Sequence, residues 1–341
     1  MSVFLDACRG LPTPFTPVWL MRQAGRYQPS YRAIREKVSF LELCHDPDLC
    51  AQVALQAVDD LGVDAAIVFA DILLVLEPLG IGFEFTKDDG PRIAHPVRAA
   101  SDVDRVASEI DANATLGYVM ESVRRTKRVL GGKVPLIGFS GAPFTLASYV
   151  IEGGGSREYT HTKRFMYGDE GAWNELMRKL SSAIARYLSA QIDAGADAVQ
   201  LFDSWIGALG PEDYARYVQP HVASIFAAIG DRVPAIHFGT GNPALYPLLK
   251  EAGGTVIGID QRADLAATWR ALGDGVAVQG NMDPVAILAP REVMIRKADA
   301  VLRAAGGRPG HIFNLGHGVL PPADVAQVRA LVEHVHEVSS R

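Results

Sequence analysis

The 341-residue sequence predicts a single-domain α/β fold, a closed (β/α)8 TIM barrel with its active site at the carboxyl ends of the strands. Two observations predict it. Eight short apolar runs, each suited to a strand buried on both faces, recur along the chain with amphipathic helical patterns between them. In addition, LGVDAAIVFAD (61–71) and AGADAVQLFDS (194–204) align without gaps, each passing from a helix-ending glycine through a turn into a strand. That echo sets Asp71 opposite Ser204, both at the carboxyl end of a strand and at one height in a barrel.

The predicted strands are VWLM at 18–21, AAIVFA at 65–70, PLIGF at 135–139, AVQLF at 198–202, AIHF at 235–238, VIGI at 256–259, VAVQ at 276–279 and HIFNL at 311–315. Helices fill the gaps. Asp46-Pro47 opens one running to Gly62, and Thr115 to Leu130 is another. Ala172 to Gly195 is long, with Leu176, Leu180, Ile184, Leu188 and Ile192 at four-residue spacing on one face. Prolines open the helices expected at 211–229, 290–305 and 321–338. Two segments depart from the alternation. GIGFEFTKDDGPRIAHP (80–96) reads as an inserted β-hairpin with Asp89-Gly90 as its turn. Residues 140–171, containing GGGS at 153–156, read as a long loop. No linker-like shift in composition divides the chain, so residues 1–341 are expected to form one domain.

Composition narrows the function classes. With 48% hydrophobic and 21% charged residues the chain is globular rather than disordered. No apolar run is long enough to span a bilayer, and MSVFLDACRG lacks the basic and apolar regions of a secretory signal, so a cytoplasmic location is expected. Cys8, Cys44 and Cys50 match no zinc spacing and form no disulfide framework. A net charge of −6 argues against nucleic-acid binding. It also makes a local basic stretch informative. Directly after VWLM come Arg22, Gln23, Gly25, Arg26 and Tyr27, then Arg32, Arg35 and Lys37, offset only by Glu36. A solvated turn gains little from guanidinium groups at a buried strand end. A pocket for several carboxylates gains a great deal, because each planar fork binds a carboxylate through two parallel hydrogen bonds.

In a barrel the residues just past each strand carry the chemistry. They are Arg22 and Arg26; Asp71; Ser140 to Pro143, with Tyr149 farther on; Asp203 and Ser204; Gly239-Thr240-Gly241; Asp260 and Arg262; Asn281 and Asp283; and Gly316-His317-Gly318. Each has a plainer reading. Asp71 equally suits a cap for the turn that follows it. Ser204 suits a bond to loop backbone, Tyr149 a core aromatic, and His317 an ordinary loop position, although its flanking glycines favour close approach of a ligand. Asp260, Arg262, Asn281 and Asp283 suit turns and loop-to-loop ion pairs. GGGS lacks the lysine of a phosphate loop, and His334 and His336 lie two apart on a helix, so they face different sides.

PVWLMRQAGRYQPSYR, FADILLVLEPLG, GFSGAPFTLASYVIEGGGS, LFDSWIG and NLGHGVLP, in order from about residue 12 to 325, resemble the uroporphyrinogen decarboxylase family. The resemblance implies a single-domain (β/α)8 barrel, usually a homodimer, that removes four acetate carboxyls from uroporphyrinogen III in haem and chlorophyll biosynthesis, using neither metal nor organic cofactor. By matching motif it implies substrate binding by Arg22, Gln23, Ala24, Gly25, Arg26, Asp71, Tyr149, Ser204 and His317, with Asp71 and Arg22 catalytic. Trp205 receives no role. Two rivals are a barrel methyltransferase holding zinc through histidine and cysteines, and a non-catalytic tetrapyrrole carrier. His237-Phe238-Gly239 lacks the cysteine that the first needs, and all three cysteines precede residue 51.

Overall fold

In the computed structural model, which describes residues 2–86 and 90–341, seven parallel strands form one curled sheet. After β1 (Ala66–Ile67) the chain makes a separate antiparallel pair, β2 (Phe83–Thr86) and β3 (Gly90–Ile93). The sheet then continues through β4 (Leu136–Gly141), β5 (Ala198–Asp203), β6 (Ala235–Gly239), β7 (Val256–Gly258), β8 (Ala277–Gln279) and β9 (His311–Ile312), neighbours in space as in sequence. Each sheet strand falls on one of the apolar runs, because a strand covered by helices on one face and by the sheet's own interior on the other has no polar side. The antiparallel pair occupies the segment expected to be a hairpin; Asp89 of the expected Asp89-Gly90 turn lies outside the described residues.

The run at 18–21 differs from expectation. It contributes a single parallel bridge, Val18 to Phe313, rather than a strand. The Val18 amide is taken by the Asp64 carboxylate at 2.7 Å, and a turn closed by Gln23 N–H donating to the Leu20 carbonyl ends the extended stretch. The segment still bonds on both sides. Phe313 N–H donates to Pro17 O at 2.9 Å, Trp19 N–H to Phe313 O at 3.4 Å, and Asp64 N–H to Val18 O at 2.7 Å.

Asp46 caps the helix Pro47–Leu61 by accepting from the Asp48 and Leu49 amides, and Gly62 ends it at φ 71°, where only glycine sits without strain. The helix Glu170–Ala194 buries Leu176, Leu180, Ile184 and Leu188 along one stripe. The helix expected over 211–229 is two, Pro211–Tyr217 and Gln219–Ile229, broken at Val218. Pro220 has no N–H to donate and its ring crowds the preceding turn. The expected long loop at 140–171 is corrected as well. It holds the helices Pro143–Glu152 and Thr160–Gly168, with 153–159 the longest irregular stretch that remains. Pro143 starts the first helix and Gly153, at φ 90°, stops it; its mostly buried apolar residues are what a loop reading overlooks.

At the amino ends of the strands the helix Val3–Cys8 packs Phe4, Ala7 and Cys8 into one cluster with Trp19, Ala198, Ile236, Ala277 and Ile312. The sheet interior is therefore plugged at that end. At the other end it opens.

Candidate active site

The carboxyl ends of the strands surround a cavity of about 1260 Å³. Of the residues expected there, Arg22, Ala24, Gly25, Arg26, Asp71, Tyr149, Ser204 and His317 all line it. Gln23 does not. Its side chain is buried behind the wall, accepting from the Leu20 amide and donating to the Ala65 carbonyl, both at 3.1 Å, while its own carbonyl accepts from the Tyr27 hydroxyl. Gln23 thus ties the arginine loop to the chain entering β1. Arg32 braces the same loop by donating to the Arg26 and Tyr27 carbonyls. Arg22 sits in the left-handed region at φ 58°, a conformation that costs a non-glycine residue about 1–3 kcal/mol. Its stem lies over Gly318; a Cβ at 318 would stand 2.5 Å from Arg22 Cδ.

The capping reading of Asp71 holds, and its carboxyl also belongs to the cavity wall. Oδ1 accepts from the Leu73 amide at 2.9 Å, as a cap does, and the residue faces the cavity. Burial pushes its carboxyl up to about 6, against the opposing pull of the Leu73 N–H and the Arg22 guanidinium. Burial, then the Asp71 charge, push the Tyr149 hydroxyl up to about 12, so it remains a hydrogen-bond donor at neutral pH. The His317 imidazole is pushed down, first by burial and then by Arg22 and Arg262. Its Nδ1 faces the Gly318 N–H at 2.8 Å and accepts from it, which leaves the proton of the neutral ring on Nε2. Ser204 is held by its carbonyl, which accepts from the Thr240 hydroxyl at 2.7 Å.

The sequence reading missed an aromatic wall. Phe69, Phe139, Phe202 and Phe238 line the cavity. Phe139 meets Phe202 edge-on at 5.5 Å, and Phe202 meets Phe238 at 5.8 Å. The signal was present, since phenylalanine stands at or next to the last position of four predicted strands. Trp205 also lines the cavity, stacked on Tyr149 with ring centres 3.9 Å apart. Arg35 and Lys37 add cations, and Glu36 and Glu84 add acids. Asp260, Asn281 and Asp283 do what their plainer readings require. Asp260 binds the Gly241 amide and Arg262, Asn281 donates to the Asp260 and Ala263 carbonyls, and Asp283 caps a short turn. Among the described residues no three His, Cys, Asp or Glu side chains converge to hold a metal ion.

A family model described as uroporphyrinogen decarboxylase matches residues 1–338. The chain is 54% identical to the uroporphyrinogen decarboxylase of Carboxydothermus hydrogenoformans, covering 99% of this chain and 97% of that protein. It is 52% identical to the enzyme of the same name from Sorangium cellulosum, with 98% and 96% covered. Among solved structures, a methyltransferase from Methanosarcina mazei superposes with a TM-score of 0.81 at 18% identity, over 98% of this chain and 97% of that one; at that identity the likeness is one of fold.

Proposed function

The chain belongs to the uroporphyrinogen decarboxylase family, and from that premise we propose how its cavity removes carboxyl groups from a tetrapyrrole. It is an enzyme of porphyrin biosynthesis, a carboxy-lyase. The substrate, uroporphyrinogen III, is a flexible macrocycle with eight carboxylates outside and four pyrrole N–H groups inside. The observation that carries the reading is one cavity combining a half-buried carboxylate, Asp71, with the cations Arg22 and Arg26 over an aromatic wall. The guanidinium groups grip acetate and propionate carboxylates at the ring's edge. Asp71, acceptor-only when ionised, takes several inward N–H donors at the centre. Tyr149, neutral His317 and Ser204 offer further polar groups to the rim.

Decarboxylation needs somewhere for the departing electron pair to go. Protonating the pyrrole carbon beside the acetate-bearing carbon makes the ring cationic. The C–C bond to the carboxylate then breaks toward the ring and releases carbon dioxide. Protonation of the resulting exocyclic methylene and loss of the ring proton give the methyl group, so each cycle consumes one proton. Asp71 stabilises the positive charge as it grows, and the apolar wall keeps water from screening it. The substrate supplies its own electron sink, so the scheme calls for no cofactor. Four such events give coproporphyrinogen III. Arg22, permanently charged, serves as a clamp rather than as the acid.

We assign the architecture to a single-domain (β/α)8 barrel in which residues 17–20 are the eighth stave; their bonds to Phe313 and Asp64 on either side support this. Homodimerisation and a cytoplasmic location carry over from the family likeness.

Anaerobic incubation with uroporphyrinogen III, followed by oxidation and chromatography, is expected to show hepta-, hexa-, penta- and finally tetracarboxylic porphyrin. Unchanged substrate would leave a binding protein instead. The acid dependence is also expected to be specific. Asp71 must be ionised, so kcat/KM should fall tenfold per pH unit below about 6 and level off above it. A profile flat through that region would remove Asp71 from the mechanism.

A further inference from the structure

We propose that Asp203 is a positioning residue for this reaction: through the Thr145 hydroxyl it fixes the Ser204–Trp205 turn, whose indole holds Tyr149 in the cavity wall. The proposal rests on the decarboxylase reading and adds to it a residue that touches no substrate.

Asp203 is the last residue of β5, immediately before Ser204, and is fully buried. Its Oδ1 lies 2.8 Å from Thr145 Oγ1, which donates to it. Thr145 Oγ1 in turn accepts from the Trp205 amide at 3.3 Å. The turn is also pinned on its other side, where the Thr240 hydroxyl donates to Ser204 O, and at its start, where Ala142 N–H donates to Phe202 O. Three attachments over four residues leave the Ser204 and Trp205 side chains little freedom.

The helix Pro143–Glu152 supplies both ends of the clamp. Thr145 and Tyr149 are four residues apart, so they lie one above the other on one face. Thr145 meets the backbone of Trp205, and Tyr149 stacks on its ring at 3.9 Å with a 30° tilt. Tyr159 packs against the same indole, ring centres 5.4 Å apart and inclined at 64°. A shift of the Trp205 backbone therefore becomes a shift of the Tyr149 ring.

The use of an aspartate here is costly. Oδ2 is buried without a hydrogen-bond partner among the described residues, as is the Tyr214 hydroxyl, whose proton the Asp203 charge helps to retain. Burial pushes the Asp203 carboxyl up to about 7, opposed by Thr145. A buried carboxyl with one satisfied oxygen is poor as packing, since an unsatisfied buried polar atom is destabilising. In its ionised form it is strong as an anchor, because a hydrogen bond to a carboxylate is about twice as strong as a neutral one.

The test is a double-mutant cycle on the full-length enzyme. Thr145→Val keeps the side-chain shape and removes the hydroxyl. It is expected to lower kcat/KM about tenfold in the Tyr149-containing enzyme and to add little once Tyr149→Phe is present. Thr145→Ser, which keeps the hydroxyl, should recover most of the loss. Asp203→Asn in the same cycle asks the same question at the acceptor end of the relay, and serves alone if Thr145→Val does not fold. Wild-type kinetics in Thr145→Val, or equal losses with and without Tyr149→Phe, would overturn the proposal. Inactivity of the unmodified protein toward uroporphyrinogen would instead overturn the decarboxylase reading, before any variant is compared.

Discussion

Replacing Asp71 by Asn is expected to reduce kcat about a thousandfold, weaken substrate binding, and raise the melting temperature at neutral pH. The kinetic part follows from Coulomb's law. Two unit charges about 4 Å apart in an intermediate dielectric attract by roughly 4 kcal/mol. An interaction of that size present mainly in the transition state is worth about a thousandfold in rate. Asparagine keeps an oxygen for the Leu73 amide, so the local turn survives. It cannot accept from several pyrrole N–H groups without presenting its own NH2. The stability part follows from the raised carboxyl. Its pKa in the fold, about 6, exceeds the ordinary value near 3.9, so the folded protein binds that proton more tightly than the unfolded chain. That contribution favours folding below about pH 4 and is lost as pH rises through 6. Above 6 the ionised group is a burden that asparagine lacks. Single-turnover assays and thermal melts across pH check both halves. A dead variant that is also less stable would point to disrupted structure instead.

Arg22→Gly carries the other large effect. It should lower kcat/KM by roughly a hundredfold, since a charge-assisted hydrogen bond to a carboxylate contributes about 1.5–3 kcal/mol. Yet it should not destabilise the fold and is expected to raise the melting temperature slightly. Arg22 occupies φ 58°, where its Cβ is crowded and glycine is at ease. Gly318→Ala makes the complementary disturbance. A new methyl would press on Arg22 Cγ and Cδ, at 2.7 and 2.5 Å, and swing the guanidinium away while leaving its charge in place. A rise in KM with kcat largely kept would mark Arg22 as a clamp; a fall in kcat alone would mark it as part of the chemical step.

Legibility followed the physics of each signal. The sheet strands were readable because burial on both faces makes most of each run apolar, and the cap Asp46 and stop Gly62 marked their helix within one residue. The run at 18–21 was legible as buried, extended chain but not as the single bridge it makes, because apolarity reports burial rather than pairing and the Asp64 side chain that takes the Val18 amide is remote in sequence. The 140–171 segment misled because glycines drew attention from the apolar helix before them. Among the cavity-lining residues, Asp71 and Arg22 were legible as charges placed after buried strands, and His317 as a polar ring between two glycines. Gln23 lay in the right motif, but its side chain points into the wall, and direction within a loop leaves no mark in sequence. The phenylalanine wall was written in the strands yet reads as ordinary core until their ends are known to share one opening.

The N-terminal helix under the sheet has a consequence for traffic. Because Phe4, Ala7 and Cys8 stopper the lower end, the cavity opens, among the described residues, toward the carboxyl ends of the strands. On the proposed mechanism, macrocycle, proton and gas pass that lip. To offer four acetates in turn to one aspartate, the ring must either pivot inside the cavity or leave and come back another way round. On the proposed mechanism, shedding a charge at every round loosens its hold on the arginines. Departure therefore grows easier with each carbon dioxide lost, and the last product is the one least able to linger.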